Sequence, residues 1–216
     1  IVLPGSILGD LVLKYKETTN KLFEDNELGE VRGVALFSFA FIVFHVVTLY
    51  TRELSINLLG HSCFIVLYLW YFHTKIDGQI GFYKLLLGWG LAFASLALFF
   101  EPLDGGIKKD PSSFSYWFLT SGLAFIFYVC CDYLTKVHPT NIVIVSLVKC
   151  GQNPMIAYCI TAFFITPILG LIHVLPFIEN LGSENPYFGL IRTFIFMILM
   201  ILFTNIATNK KWFWRS

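Results

Sequence analysis

His45 and His61 each sit inside an apolar run, eight residues either side of Glu53. Imidazole is the side chain that exchanges a proton near neutral pH, so two of them brought together can share a proton or grip a ligand. If the two runs are helices folded back at Arg52 and Glu53, both rings lie at the same depth, about 12 Å below the turn. A plainer reading stands beside this one, in which each ring stays neutral and hydrogen-bonds to a neighbouring helix. His173 closes a later run and either joins the pair or marks that run's end.

Asp10, Asp132, Lys149, Gln152 and Asn153 also fall at the ends of apolar runs. Capping and charge pairing account for Asp132 and Lys149. Gly151-Gln152-Asn153-Pro154 reads differently, as the opening of a helix with proline in its first turn. The backbone N–H groups of such a start attract a phosphate or carbonyl, and an N-cap role for Asn153 is the competing reading. Thirteen residues on, Pro167 removes a backbone hydrogen bond and bends the same helix. Phosphate-binding Gly-rich loops, HExxH, GxSxG and dinucleotide fingerprints do not occur, which removes their chemistries from consideration.

The elements that position these residues follow from composition. Of 216 residues, 56% are hydrophobic and 13% charged, and the mean hydropathy is +0.72. A water-soluble fold cannot hide that much apolar surface, so the expected solvent is a lipid bilayer. A net charge of +1 offers nucleic acid no basic field. The five cysteines lie within or beside apolar runs, where they read as reduced core residues, with no zinc-binding spacing.

Spanning about 30 Å of hydrocarbon takes roughly 20 helical residues. Six runs qualify: Val34–Thr51, Ser55–Phe72, Gly81–Phe100, Phe114–Leu134, Gly151–Leu175 and Tyr187–Thr208. A seventh, Ile1–Leu13, is too short and reads as the exit end of a helix that begins earlier, or as an interfacial helix; its Gly5 and Gly9 allow close helix approach. The expectation is an all-α polytopic transmembrane bundle, six full spans plus one partial N-terminal span, forming a single domain that is the C-terminal half of a longer protein. Alternating the loops between two sides places Lys14, Lys16, Lys21, Arg32, Lys75, Lys84, Lys136, Lys149, Lys210, Lys211 and Arg215 together, against Arg52, Lys108, Lys109 and Arg192. Excess positive charge marks the cytoplasmic side, so the C-terminus is expected inside, with Trp212, Phe213 and Trp214 as an interfacial anchor.

Four blocks in order, GSILGDLVLKYKE (5 to 17), GGIKKDPSSFSYWFLTSGLAF (105 to 125), GQNPMIAY (151 to 158) and NKKWFWRS (209 to 216), resemble the C-terminal half of the heparan-alpha-glucosaminide N-acetyltransferase family, in its bacterial members. The resemblance implies an inner-membrane acyltransferase that takes an acetyl group from cytoplasmic acetyl-CoA and delivers it to a sugar or glycan acceptor on the far side. Asn153, Lys149 and Gln152 would then stand at the cofactor entrance, with Lys136 nearby, and Lys109, Ser113 and Ser115 on the acceptor side with His45 and His61. The family's catalytic histidine belongs to an N-terminal block with no counterpart here, so the catalytic residues stay unknown and none of His45, His61 or His173 inherits the role. Animal members carry an Asn-Lys-Asn-Leu-Trp-like run in the outer loop; this chain keeps the lysine as Lys109 and has Ser112 in place of the tryptophan. On that reading the partners are the bilayer, the N-terminal half, the acceptor and, as an open option, further copies in a homo-oligomer. The competing expectation is a transporter or flippase with a polar path through His45 and His61.

Overall fold

A computed structural model describes residues 2–15, 25–73, 78–180 and 186–213. Ile1, Lys16, Glu17, Lys21, Lys75, Trp214 and Arg215, used above for span, topology or resemblance, lie outside the described residues. The described chain is helical, in the order α1 (Val2–Lys14), α2 (Asp25–Tyr50), α3 (Leu54–Phe72), α4 (Gly78–Asp104), α5 (Phe114–Val137), α6 (Ile142–Gln152), α7 (Pro154–Ile160), a π-helical turn (Thr161–Ile165), α8 (Thr166–Leu171), α9 (Leu175–Asn180) and α10 (Pro186–Asn209). Six helical stretches among the described residues are long and apolar enough to cross a membrane: 28–50, 54–72, 80–104, 114–137, 154–171 and 189–209. The protein is an integral membrane, all-α polytopic bundle. Its outer faces carry the large apolar side chains, Leu59 being 71% exposed, while Ser38, His45 and Asn57 are fully buried. That inverted distribution is what hydrocarbon selects, because each backbone polar group must be satisfied within its own helix and the few polar side chains turn inward.

The chain divides into two compact units, residues 1–137 and 138–216. In the first, α2 to α5 pack as neighbours with α1 against α5. The core gathers Phe41, Phe82, Tyr83, Leu86, Leu87, Phe125, Ile126 and Val129. α4 and α5 share its most extensive interface, which closes because Gly90 and Gly122 face each other. A Cβ at Gly122 would stand 2.7 Å from the Gly90 carbonyl oxygen. Small residues let two backbones approach in this way, and in lipid such packing is the main cohesive force. The Gly5 and Gly9 pair expected to do this has nothing within 4 Å of either position.

At the end of the first unit remote from Arg52, Lys84 Nζ donates to the Phe72 carbonyl at 2.7 Å, placing a cation on the last turn of α3. Asp132 accepts the Tyr83 hydroxyl and pairs with Lys136 at 2.8 Å, the charge pairing anticipated for it.

The second unit departs from the expected single span Gly151–Leu175. Asn153 is non-helical (φ −133°, ψ 58°), because the ring of the following Pro154 disfavours a helical residue before it. The stretch left between the expected spans Phe114–Leu134 and Gly151–Leu175 contains α6, whose start Asn141 caps by accepting the Val143 N–H at 2.9 Å. Eleven residues are too few to register as a span. Instead of a simple bend at Pro167, the helix widens over Thr161–Ile165, and the Thr166 N–H and hydroxyl both reach the Thr161 carbonyl. The π turn spares the Phe163 carbonyl a clash with the proline ring and absorbs the missing donor. His173 follows in a turn with φ +58° and is exposed.

Candidate functional site

α2 and α3 form the hairpin that the spacing about Glu53 implied. A short turn closes it, the Glu53 N–H donating to the Thr48 carbonyl at 2.9 Å. Equal arm lengths bring His45 Nε2 to 3.0 Å from His61 Nδ1. His45 Nδ1 lies 3.0 Å from the Phe41 carbonyl, one turn back on its own helix. His61 Nε2 lies 2.8 Å from Ser95 Oγ on α4, and Ser95 Oγ is itself 2.9 Å from the Leu91 carbonyl. The result is a continuous hydrogen-bonded chain across three helices: Phe41 C=O, His45, His61, Ser95, Leu91 C=O.

Aromatic rings wall this chain in. Phe41 stacks on His45 with centroids 3.9 Å apart, Phe44 meets His45 edge-on at 5.4 Å, and Phe64 packs on both phenylalanines. Gly60 makes room for Phe44: a Cβ there would overlap its ring at 2.0 Å. One turn nearer Arg52, Asn57 Nδ2 donates to Thr48 Oγ1, and Thr48 donates to the Phe44 carbonyl at 2.7 Å. Asn57 Oδ1 is fully buried and has no hydrogen-bond partner among the described residues. An unmet buried acceptor costs about 1–3 kcal/mol, so this atom is a place where a donor is wanted.

The loop between α4 and α5 is an ordered clasp. Gly105 (φ +63°) and Gly106 (φ +111°) take backbone conformations that side chains disfavour. Ser113 then caps α5, its Oγ accepting the Tyr116 N–H at 3.2 Å and the Lys108 N–H at 3.1 Å. Asp104 Oδ2 accepts the Ser115 N–H at 2.8 Å, so a carboxylate sits on the positive end of the helix. Ser115 is buried and lies 2.9 Å from Ser113 through their hydroxyls, whereas Lys109 is exposed and gives its carbonyl to Ser112. Ser113 and Ser115 therefore meet, and among the described residues no hydrogen bond joins them or Lys109 to His45 or His61.

Lys149, Gln152 and Asn153 belong to the second unit. Asn153 is 1% exposed, and its Nδ2 donates to the Trp212 carbonyl at 2.7 Å, tying the α6–α7 junction to the segment after α10. Thr208 reinforces this tie from α10, donating to the Lys149 carbonyl at 3.3 Å. Gln152 is exposed and Lys149 half-buried beside the junction. Lys210 lies 5.0 Å over the Trp212 ring, a cation–π contact at the expected interfacial anchor.

Ser95, Asn57 and Asp104 escaped the reading of the sequence. Ser95 is one small hydroxyl within an apolar run, and only the α3–α4 pairing shows that it faces His61. Asn57 was within reach, because it and Thr48 flank Glu53 almost symmetrically, as the histidines do. Among the described residues no three metal-ligating side chains converge. What this arrangement does is hold two imidazoles away from water in one hydrogen-bonded chain, beside a buried acceptor open to a further donor. Comparison with protein-family models, with curated proteins and with solved structures found no match.

Proposed function

We propose that this chain is part of a membrane-embedded acyltransferase that moves an acetyl group from acetyl-CoA to a sugar or glycan acceptor across a bacterial inner membrane. The observation that carries the reading is the ordered set of four sequence blocks that resemble the heparan-alpha-glucosaminide N-acetyltransferase family. Two of them, GQNPMIAY and NKKWFWRS, are joined by the hydrogen bond from Asn153 to Trp212. In such a transfer the acceptor's amine or hydroxyl attacks the thioester carbonyl. A C–N or C–O bond forms, the C–S bond breaks, and the acceptor's proton passes by way of a base to the leaving sulfur, so that CoA departs as the thiol. Lys149 and Gln152 are side chains available to the cofactor's phosphates, and the bias of Lys and Arg supports a cytoplasmic side for them and the C-terminus. Lys109 and its neighbour Lys108 are exposed cations of the loop between α4 and α5.

The test is acetyl-CoA binding by the protein in lipid nanodiscs, repeated for Lys149→Ala and Gln152→Ala. Binding weakened by these substitutions, with unchanged thermal stability, is the expected result. Absence of acetyl-CoA binding by the unaltered protein would remove the reading. The hydrogen bond between His45 and His61 favours a second reading, a transporter or flippase, which requires substrate flux in proteoliposomes without acetyl-CoA.

A further inference from the structure

We infer that His45, His61 and Ser95 form a binding site for a single proton, shared between the two rings, and that Asn57 marks the way in. The argument is an accounting of hydrogens. The Phe41 carbonyl only accepts, so His45 Nδ1 carries a hydrogen. A neutral His45 then offers a bare Nε2, and His61 Nδ1 must donate to it. A neutral His61 in turn offers a bare Nε2, and the Ser95 hydroxyl must point at it. Ser95 has a second option, the Leu91 carbonyl, and in that rotamer its oxygen needs a donor from His61 Nε2.

That donor exists only when the pair holds one extra proton, on His61 directly or on His45 with His61 in its other tautomer. The two rotamers of Ser95 thus match two charge states: the links from Phe41 through His45 and His61 to Ser95 survive in both, and the Ser95–Leu91 bond forms only with the extra proton. A second extra proton has no place. Both facing nitrogens would carry hydrogens 3.0 Å apart, and two imidazolium rings would stand side by side. The capacity of the chain is one.

Among the described residues of α2 to α5, no charged group lies beside the pair to hold that proton in place. On α3, Cys63 is exposed, Tyr68 donates to the Lys84 carbonyl and Tyr71 to the Glu30 carbonyl. On α2, Glu30 and Arg32 lie more than three turns below His45 and Tyr50 lies beyond it at the Arg52 end. On α4, Tyr83 is given to Asp132 and Lys84 to Phe72, while Glu101 and Asp104 lie six and nine residues past Ser95, about 9 and 13 Å along the axis. On α5, Asp132 is paired with Lys136 at the end away from Arg52; Tyr116, Tyr128, Cys130, Cys131 and Tyr133 complete its titratable groups.

The second observation is independent of the histidines. Thr48 spends its hydrogen on Phe44, so it receives Asn57 Nδ2, and this fixes Asn57 Oδ1 as the unmet acceptor. Asn57 is one turn from His61 on the side of the Arg52 turn. A fully buried acceptor at that position takes its hydrogen from a water, which is the carrier a proton needs to reach the rings. The inference does not depend on acetyl transfer: it rests on the hydrogen bonds of His45 and His61, which the resemblance sets on the acceptor side, and uses none of the residues assigned to the cofactor or the acceptor loop.

The experiment uses the protein in nanodiscs with the exposed His73, His138 and His173 replaced by Gln, leaving the pair as the remaining imidazoles. Ring 15N spectra are recorded as the pH is lowered. Uptake of one proton that moves both rings' signals together is expected. Separate titration of the two rings, or no uptake before the helices unfold, would overturn the inference. In the same background His61→Gln preserves a hydrogen-bonding side chain but cannot share the proton, so His45 should follow a different curve; an unchanged curve counts against sharing. Asn57→Leu should slow solvent exchange of the ring N–H hydrogens several-fold, and an unchanged rate would reject the entry route.

Discussion

Replacing Gly122 by alanine adds one methyl group at the tightest helix crossing of the first unit. The new Cβ would stand 2.7 Å from the Gly90 carbonyl oxygen, 3.0 Å from the Ala94 nitrogen and 3.2 Å from Phe93 Cβ. Two of these are backbone atoms, so no rotamer change relieves the contact and α4 must move off α5. Ordinary contact requires an opening of roughly 0.6 Å, and gaps of that size forfeit about a quarter to a half of each dispersion contact they interrupt. Leu86, Leu87, Ala94, Phe125 and Ile126 are among the buried side chains of the two helices that such an opening would loosen. Overpacking of this kind costs about 1–3 kcal/mol, offset by about 0.5–1 kcal/mol for removing a helical glycine; the middle of the two ranges leaves a loss of about 1 kcal/mol. Gly9→Ala is the control, because nothing lies within 4 Å of that position. Thermal unfolding in matched detergent, followed by near-ultraviolet circular dichroism, should show a lowered Tm for Gly122→Ala and none for Gly9→Ala. A Gly122→Ala protein as stable as its parent would refute the close crossing of α4 and α5.

Three further substitutions probe the site and its supports. Gly60→Ala drives a methyl group into the Phe44 ring and should break the 3.0 Å link between His45 and His61, read as loss of coupling between the two rings in 15N spectra. Asp104→Ala leaves the Ser115 N–H without its carboxylate and should cost about 1 kcal/mol of stability, while Asp104→Asn, which keeps an oxygen, should cost less. Asn153→Ala leaves the Trp212 carbonyl without its donor; a loss of about 1–2 kcal/mol should appear as faster proteolysis of the C-terminal segment.

Composition and run length were enough to show that this protein is a bundle of membrane-crossing helices. Lipid imposes one secondary structure on any long apolar stretch, so local sequence decides it without help from packing. The turn at Arg52 and Glu53 was equally local, and symmetry about it sufficed to pair His45 with His61. Other features depended on partners far along the chain. That Ser95 meets His61, that Asp104 caps α5 and that Gly90 faces Gly122 follow from the neighbours and rotation of each helix. Apolar helices of low amphipathicity do not record that rotation in their sequence. Asn153 marks the boundary between the two kinds of knowledge. The proline after it announces a break in the helix, but only the folded unit shows its amide turned inward to the Trp212 carbonyl, because a buried amide takes whichever acceptor the fold brings within reach.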